Sequence, residues 1–288
     1  MTSARGQMGR LVVCPTPIGN LDDLTSRVLG VLREADVIAC EDTRHTRRLL
    51  DRYAITTPLV SLHEHNERAR AGELLQRLRA GALVALVSDA GTPLISDPGF
   101  VLVQACLHAQ VPFEVLPGPS AVTTALVASG LPASRWCFAG YLPRKRGELR
   151  ALLEGCEQTL VAFESPRRLA TTLRVLADGD PQRPVAVCRE LSKRHEEVRR
   201  GSAVELAAYY GEDGPGVRVR GEITLVVGAA APGARSQAQA VRVLAELVDA
   251  GARPRPAAAA VARLSGLPAK ELYRELARAR RGGGRAGQ

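Results

Sequence analysis

The chain of 288 residues is long enough for about two domains, and its 45% hydrophobic and 24% charged residues are typical of a globular protein with a large core. No apolar run approaches the ~20 residues that a membrane-spanning helix requires, and residues 1–9 lack the apolar segment of a secretory signal. Six cysteines lie scattered without a Cys-x-x-Cys pair, which favours reduced core thiols over metal ligands and indicates a cytoplasmic protein.

The net charge of +9 is unevenly distributed. Arginine supplies 36 of the 39 basic residues, a ratio that genomic base composition alone can produce, so arginine richness is weak evidence for a nucleic-acid partner. Position is more informative, because residues 231–288 carry a net charge of +7 and the first 230 residues only +2. The excess therefore predicts a basic, anion-binding module at the C-terminal end.

Five strand–loop–helix units fill the first 130 residues. Asp22 or Asp23 is expected to cap the first helix, and Glu41 and Asp42 suit the N-terminus of the second. Such a repeat predicts a parallel sheet with covering helices, which forms an N-terminal α/β domain at 10–120. Apolar runs place its strands at 10–13, 37–40, 58–62, 83–87 and 113–116.

The stretch at 83–99 carries the strongest sign of a binding site. Its apolar run shows no alternation, as expected of a strand buried on both faces, and a loop containing Asp89 and Gly91 follows. Similar small-residue loops follow the first and fifth strands, at 15–20 and 117–121. Open α/β sheets bind ligands at such strand ends. Because these loops offer many backbone donors and few fixed charges, they suit a flat, amphipathic cofactor, and the usual phosphate-binding glycine motifs are absent.

Beyond residue 130 the spacing becomes irregular, which predicts a second α/β domain with a mixed sheet at 121–230. A linker at 229–236 then leads to a basic helical module at 237–282 and a disordered tail at 283–288. The predicted strands are 136–141, 159–163, 184–188 and 222–227, and the predicted helices are 145–155, 166–177, 202–210, 238–250, 257–265 and 269–279.

His63, Glu64 and His65 follow the third predicted strand and raise the question of a metal. In a strand the two imidazoles would share a face, but the sequence offers no evident third ligand. No metal site is therefore predicted.

Several long stretches resemble the ribosomal RNA small subunit methyltransferase I family, within the tetrapyrrole methylase superfamily. The resemblance covers residues 11–228 and the helical module, and its motifs are specific because several are nearly uninterrupted. Arg167 stands where the family would have His and Ser192 where it would have Thr. Neither change is expected to affect any of the three loops, but Arg167 argues against a catalytic role at its position. The matching stretches are 15–25, 41–46, 61–66, 88–99, 116–121, 163–166, 189–190 with 195–197, and 220–222.

The resemblance implies two α/β domains of the class III methyltransferase type, with a cofactor cleft between them and a small C-terminal helical module. It implies an S-adenosylmethionine-dependent homodimer that methylates the 2′-hydroxyl of a cytidine ribose in the decoding region of 16S rRNA, within the small ribosomal subunit, with no role for a membrane. The implied cofactor contacts are Ile18, Asp89, Gly91, Thr92, Ser120, Ala121, Phe163 and Glu164.

Transfer to a 2′-hydroxyl requires the hydroxyl to lose its proton, so a general base would assist the reaction. Position alone makes candidates of five residues and does not choose among them: Glu41, Asp42, His63, Glu64 and Glu164. Three arginine pairs are candidates for the RNA path, although solvated helix faces explain any single pair equally well: Arg47 and Arg48, Arg144 and Arg146, Arg199 and Arg200.

Two other functions were weighed. A small-molecule, tetrapyrrole-type methyltransferase of the same fold should lack the basic helical appendage that this chain has. A non-catalytic RNA-binding protein is disfavoured by the intact loop at Asp89, and the aromatic content of 3% leaves few side chains on which bases could stack.

Overall fold

The computed structural model describes residues 8–230 and 234–283, and only the backbone of 234–239 and 279–283. Expectations for residues 1–7, for part of the linker at 229–236 and for the tail beyond Gly283 lie outside the described residues. The strands are β1 (Arg10–Val13), β2 (Val37–Cys40), β3 (Leu59–Ser61), β4 (Leu83–Leu86), β5 (Phe113–Val115), β6 (Trp136–Tyr141), β7 (Thr159–Glu164), β8 (Pro184–Arg189), β9 (Glu197–Ser202) and β10 (Ile223–Val227). The helices are α1 (Ser26–Glu34), α2 (Thr43–Arg52), α3 (Glu67–Arg79), α4 (Phe100–His108), α5 (Ala121–Ser129), α6 (Arg146–Gly155), α7 (Pro166–Gly179), α8 (Ala203–Tyr209), α9 (Ala234–Asp249), α10 (Pro254–Ser265) and α11 (Ala269–Gly283).

The first sheet is parallel throughout and has the strand order β3-β2-β4-β1-β5. Its two faces bury separate apolar clusters, one under α1 and α2 and the other under α3 and α4. The neighbouring strands β1 and β4 connect onward in opposite directions across the sheet. Such a reversal opens a crevice between the loops that leave the two strands, which is where the predicted site lies.

The second sheet is mixed, as predicted, with the order β6-β7-β10-β8-β9. Only β6 and β7 are parallel neighbours in it; the other three pairs are antiparallel. Helices α6, α7 and α8 cover one face. The other face is covered by α5, because Val122, Ala125 and Leu126 pack against Val161 and Ala186. The helix of the fifth N-terminal unit therefore belongs to the core of the second sheet.

Several local expectations need correction. Thr25 caps α1 by accepting a hydrogen bond from Val28 N at 3.2 Å, whereas Asp22 and Asp23 lie in a short 3₁₀ helix before it. The expectation for α2 is confirmed, since Asp42 Oδ1 accepts from Arg44 N at 2.8 Å. The strand β9 was not predicted, because an edge strand with charged residues such as Glu197 lacks the apolar run of a buried strand.

His63 and His65 do not share the face of a strand, because β3 ends at Ser61 and a turn follows. Their ring centroids are 6.0 Å apart with the rings steeply inclined. Within the described residues, no group of three or more histidine, cysteine or acidic side chains is arranged to hold a metal ion.

The C-terminal helices pack on one another around their own apolar cluster, which includes Leu244, Val261 and Leu272. They start earlier than predicted, at residues 234 and 254 for α9 and α10. Proline at the first position of α10 is favourable there, because its missing N–H would have no partner in the helix. In the described part of the chain no helix has both the length and the apolarity to cross a membrane.

Candidate functional site

Three loops at the carboxyl edge of the first sheet are hydrogen-bonded to one another. Thr16 N and O pair with Gly91 O and N at 2.8 and 3.0 Å, which joins the loops after β1 and β4. Thr92 Oγ1 donates to Pro119 O at 3.1 Å, which adds the loop after β5. The predicted loops at 15–20, 88–93 and 117–121 therefore form one connected layer.

This layer forms one wall of a cavity of ≈ 420 Å³, and the second domain forms the other. A volume of this size suits a small organic ligand. Side chains from the first domain include Ile18, Glu41, Asp89 and Asp97. The second domain contributes residues that include Tyr141, Phe163, Glu164, Glu222 and Thr224.

The structure brings most of the predicted cofactor residues to this cavity. Those that line it are Ile18, Asp89, Ala121, Phe163 and Glu164. The other three do not line it; Gly91 and Thr92 make the loop contacts just described, and Ser120 is the residue before α5. Their contact with a cofactor stays a prediction.

The cavity is more acidic than the loop sequences suggested. Glu41, Asp89 and Asp97 converge in it, although the loops were expected to be poor in fixed charge. Burial, followed by the charges of Glu41 and Asp89, raises the pKa of Asp97 to about 7. Burial and then Asp89 also raise the pKa of Glu41, against the opposing effect of His63. Because like charges repel one another and burial disfavours ionised carboxylates, the cluster favours a bound cation or a retained proton.

Asp97 was missed as a site residue by the sequence reasoning. It follows Leu94 and Ser96, which have φ values of 71° and 70°, an uncommon conformation for residues other than glycine. The far end of this loop is fixed by α3, because Glu67 Oε1 accepts from Gly99 N at 2.7 Å and from Val101 N at 3.0 Å. The available signal was its place within the matching stretch at 88–99, which ends directly before α4.

Tyr141 faces this loop from the second domain. An irregularity in the pairing of β6 and β7 precedes it, and its side chain is exposed. Partial burial, followed by Glu222, Asp97 and Glu41, raises its pKa. Its ring lies 5.5 Å from that of Phe163, centroid to centroid. Tyr141 therefore places an aromatic ring at the rim of the acidic cavity. Its raised pKa keeps its hydroxyl protonated.

The geometry separates the five candidate bases. Glu164 is held within the second domain, because its buried carboxylate accepts from Ser165 N at 2.8 Å and from the Thr172 hydroxyl at 2.6 Å and lies 3.5 Å from Arg168. Asp42 caps α2, and the backbone N–H of Arg44 is the main cause that lowers its pKa. Glu64 is exposed in the turn after β3 and does not line the cavity.

The two remaining candidates lie beside each other. Glu41 lines the cavity, and His63 is close enough to Glu41 to affect its charge. The His63 ring is held by Asn66, whose Nδ2 lies 3.2 Å from Nε2, while the buried Nδ1 has no hydrogen-bond partner.

A second contact between the domains lies next to the cavity. Asn20 N donates to the Ser192 hydroxyl at 3.3 Å, and that hydroxyl also contacts Asp23. A Cβ on Gly19 would clash with the Lys193 side chain and lie 2.9 Å from the Leu191 carbonyl oxygen. Ser192 therefore touches the first loop, contrary to the expectation that its departure from the family pattern affects none of the three. The serine hydroxyl supplies the same donor and acceptor that threonine would.

The six predicted RNA-binding arginines are placed differently. Arg146 is paired with Asp178 at 2.9 Å, and Arg199 with Glu197 at 3.1 Å. Arg200 donates to the carbonyl oxygens of Ala128 and Ser129 at the end of α5. Arg47 makes one long hydrogen bond, at 3.5 Å, to Ile55 O. Arg48 and Arg144 are exposed.

Comparisons with known proteins agree with this architecture. The sequence profile of the tetrapyrrole (corrin/porphyrin) methylases matches residues 10–207, which places the chain in that class. The ribosomal RNA small subunit methyltransferase I of Mycobacterium tuberculosis is 46% identical over 280 residues, covering 95% of this chain and 96% of the relative. The protein of that name from Thermotoga maritima is 44% identical over 222 residues, covering 76% of this chain and 98% of the relative.

A solved structure of uroporphyrin-III C-methyl transferase from Thermus thermophilus, complexed with S-adenyl homocysteine, shares the fold. It has a TM-score of 0.52 and 23% identity, covering 76% of this chain and 97% of that one. The chain belongs to the ribosomal RNA small subunit methyltransferase I family of the tetrapyrrole methylases. It is therefore a methyltransferase, and the predicted family and fold class are confirmed.

Proposed function

We propose that this chain transfers a methyl group from S-adenosylmethionine to the 2′-hydroxyl of a cytidine ribose in the decoding region of 16S rRNA. The observation that carries the proposal is the 46% identity to the ribosomal RNA methyltransferase of M. tuberculosis, which extends over 95% of this chain. The T. thermophilus enzyme named for a porphyrin substrate covers 76% of the chain at 23% identity, which supports the fold alone.

The residues of the cavity fit the cofactor. S-adenosylmethionine has apolar, hydroxylated and positively charged parts, and it would supply a methyl group on a sulfonium that leaves as a neutral thioether. Ile18, Ala121 and Phe163 would contact its apolar parts. The Asp89 carboxylate would accept hydrogen bonds from its polar groups and balance positive charge.

The remaining predicted contacts would act less directly. Gly91 and Thr92 tie the loops together behind the cavity wall, and Ser120 is the residue before α5. Glu164 would contribute its backbone and its bonds within the second domain, because its carboxylate is already held there. The two domains thus position a cofactor mainly through the first-domain loops.

Asp97 is the general base in this proposal. The attacking ribose hydroxyl must lose its proton during methyl transfer, and the Asp97 carboxylate would accept that proton. Much of the rate increase would come from holding the two reacting atoms ~3–3.5 Å apart between the two domains. Glu41 lies in the same cavity and would orient the ribose. A base whose pKa of about 7 lies near the working pH is well matched to proton removal.

The RNA partner approaches the open side of the cavity in this proposal. Arg48 and Arg144 are the members of the predicted pairs whose side chains are exposed and available for phosphate contacts. The proposal includes a cytoplasmic homodimer acting on the small ribosomal subunit. Exposed apolar side chains on α4 and β5, namely Phe100, Leu107 and Val115, are available for the dimer contact.

The test is mass spectrometry of nucleosides from 16S rRNA of a deletion strain, with and without this chain restored. Restoration should return 2′-O-methylcytidine to the decoding-region fragment. Purified small subunits from the deletion strain should accept a labelled methyl group in vitro from S-adenosylmethionine. Unchanged 2′-O-methylcytidine after deletion, together with methylation of another nucleotide or of a small molecule, would refute the proposal.

A further inference from the structure

A second cavity, of ≈ 440 Å³, lies within the second domain. It is formed where the connection from β8 to β9, the end of α8 and the segment at 215–221 meet, and we call it the basic cavity. Gly216 N donates to Tyr209 O at 2.9 Å, which folds the segment back over the tyrosines. Its wall includes Arg189, Glu197, Tyr209, Tyr210, Arg218 and Arg220.

The charges in the basic cavity do not cancel. Glu197 is neutralised twice, by Arg189 at 3.2 Å and by Arg199 at 3.1 Å. Glu190, which also lines the cavity, pairs with Lys193 at 2.9 Å. Arg218 and Arg220 are exposed and have no carboxylate partner within the described part of the chain. Two guanidinium groups are therefore left to bind an anion.

The wall behind these arginines is rigid. The Tyr209 and Tyr210 rings meet edge to face with centroids 4.9 Å apart, and the Arg199 guanidinium lies 3.7 Å above the Tyr209 ring. Since Arg199 occupies a face of Tyr209, the tyrosines serve as a wall and not as a platform for a base. The exposed arginines of the wall favour recognition of phosphate.

The basic cavity adjoins the cofactor cavity. Gly221 lines both, so Arg220 on one side of it and Glu222 on the other face neighbouring sites. Gly221 has a φ of 89°, and a Cβ there would clash with the Glu190 side chain, so the chain can make this turn only with glycine. A polymer with one unit in the cofactor cavity would therefore place an adjacent unit at the arginines.

We infer that Arg218 and Arg220 bind a backbone phosphate of the RNA strand, next to the nucleotide that enters the cofactor cavity. This inference rests on the proposed function. Arginine matches a phosphate with paired N–H donors, and a contact of this kind fixes the register of a strand without reading its sequence. By holding the adjacent backbone phosphate, the basic cavity thus selects which ribose reaches the methyl group.

The test compares the double variant Arg218→Ala/Arg220→Ala with the control Arg77→Ala/Arg79→Ala. The control removes two exposed arginines from the end of α3, at the opposite edge of the first sheet. Methyl transfer to small subunits is measured over a range of salt concentrations. The cavity variant should raise KM for the subunit about 10-fold to 100-fold and leave kcat nearly unchanged, because charged hydrogen bonds to the bound strand are lost. Its plot of log KM against log salt should be shallower by about 0.7, the value for one phosphate on a single strand.

S-adenosylmethionine affinity should match wild type in both variants. A cavity variant whose KM and salt slope equal those of the control overturns the inference, while methylation by wild type still supports the proposed function. If wild type methylates no rRNA, the proposed function fails. Titration with a 5′-phosphorylated single-stranded oligoribonucleotide then tests whether the basic cavity binds phosphate. Weaker binding in the cavity variant alone supports the inference. Equal binding by wild type, the cavity variant and the control overturns it.

Discussion

Asp97 shares its cavity with other carboxylates, Glu41 and Asp89 among them, and this determines how activity should depend on pH. Because the pKa of Asp97 is raised to about 7, the residue is largely protonated at pH 6 and largely ionised at pH 8. A general base works in its ionised form, so kcat for wild type should fall as pH drops through about 7. Asp97→Asn should lower kcat about 10²-fold or more and abolish that dependence, measured in single-turnover assays.

The pH dependence of thermal stability is a second test of Asp97→Asn. A carboxyl whose pKa is higher in the folded than in the unfolded state binds its proton more tightly when folded, so the free energy of unfolding falls as pH rises from about 4 to about 7. Asp97→Asn should therefore unfold at a higher temperature than wild type at pH 8, with little difference at pH 4. A pH profile of kcat that keeps its inflection in Asp97→Asn would assign the base to another residue, with Glu41 the first to test.

Asp89 is expected to bind the cofactor, and it also has a structural contact. Its Oδ1 accepts from Asp42 N at 3.1 Å, which links the loop after β4 to the start of α2. Asp89→Ala should weaken S-adenosylmethionine binding by ~1–3 kcal/mol, measured by calorimetry, because a charged hydrogen bond is lost. Asp89→Asn is the matched control, since its amide oxygen can still accept from Asp42 N. Affinity unchanged in a folded Asp89→Ala protein would show that Asp89 only supports the loop.

At the level of residues, the sequence indicated cavity residues that directly follow a strand. It missed those whose position depends on other parts of the fold. The loop of Asp89 was indicated by the end of a buried strand, whereas Ile18 was implied by the family resemblance, and both residues line the cavity. Asp97 and Tyr141 were missed, because one follows a loop whose course depends on Glu67 of another helix and the other follows a pairing irregularity in β6. Contacts of this kind depend on tertiary packing, which no local pattern contains.

Secondary structure elements followed their apolar patterns closely where they are buried. Strands β1, β2 and β6 begin and end where the apolar runs predicted, whereas the edge strand β9 has no such run and was missed. The packing of α5 on the second sheet was also not predictable from the sequence, because an apolar helix face does not specify which sheet it covers. That packing supports the proposed domain limits of 10–120 and 121–230, because α5 begins at Ala121.

Between elements, the loop before β9 holds the loop after β1 through Ser192. Ser192→Ala should weaken S-adenosylmethionine binding by ~0.5–1.5 kcal/mol, because the hydrogen bond to Asn20 N and the contact with Asp23 are lost and Ile18 is positioned less firmly. Ser192→Thr keeps the hydroxyl and should match wild type in calorimetry and thermal unfolding. Equal affinities for the alanine and threonine variants would mean that the contact does not position the cofactor loop.

On the scale of the whole molecule, the basic helices have an apolar cluster of their own among the described residues. Their apolar cluster contains residues of α9, α10 and α11 only, and α9 lies against α6 with Arg242 and Glu154 3.9 Å apart on the surface. An exposed ion pair of that length contributes little stability. We therefore propose that residues 237–282 dock the substrate, and that removing them leaves the two α/β domains folded.

The T. maritima relative matches only part of this chain. Nearly its whole length is matched by 76% of this chain, so about a quarter of the present chain has no counterpart in it. A protein of the same name thus exists without an equivalent of every segment found here. The basic helices should add affinity for the ribosomal subunit, and the chemistry should proceed without them.

Truncation after Ala230 tests this division, because α9 already begins at Ala234. The shortened protein should unfold at nearly the full-length temperature and bind S-adenosylmethionine normally. Its KM for the small subunit should rise about 10-fold or more with kcat retained, and the salt dependence of KM should become shallower, because fewer counterions are released when the basic helices are gone. Aggregation or weakened cofactor binding would instead show that the helices cover an apolar face of the second domain. A truncated enzyme with the full-length KM and salt dependence would rule out both roles.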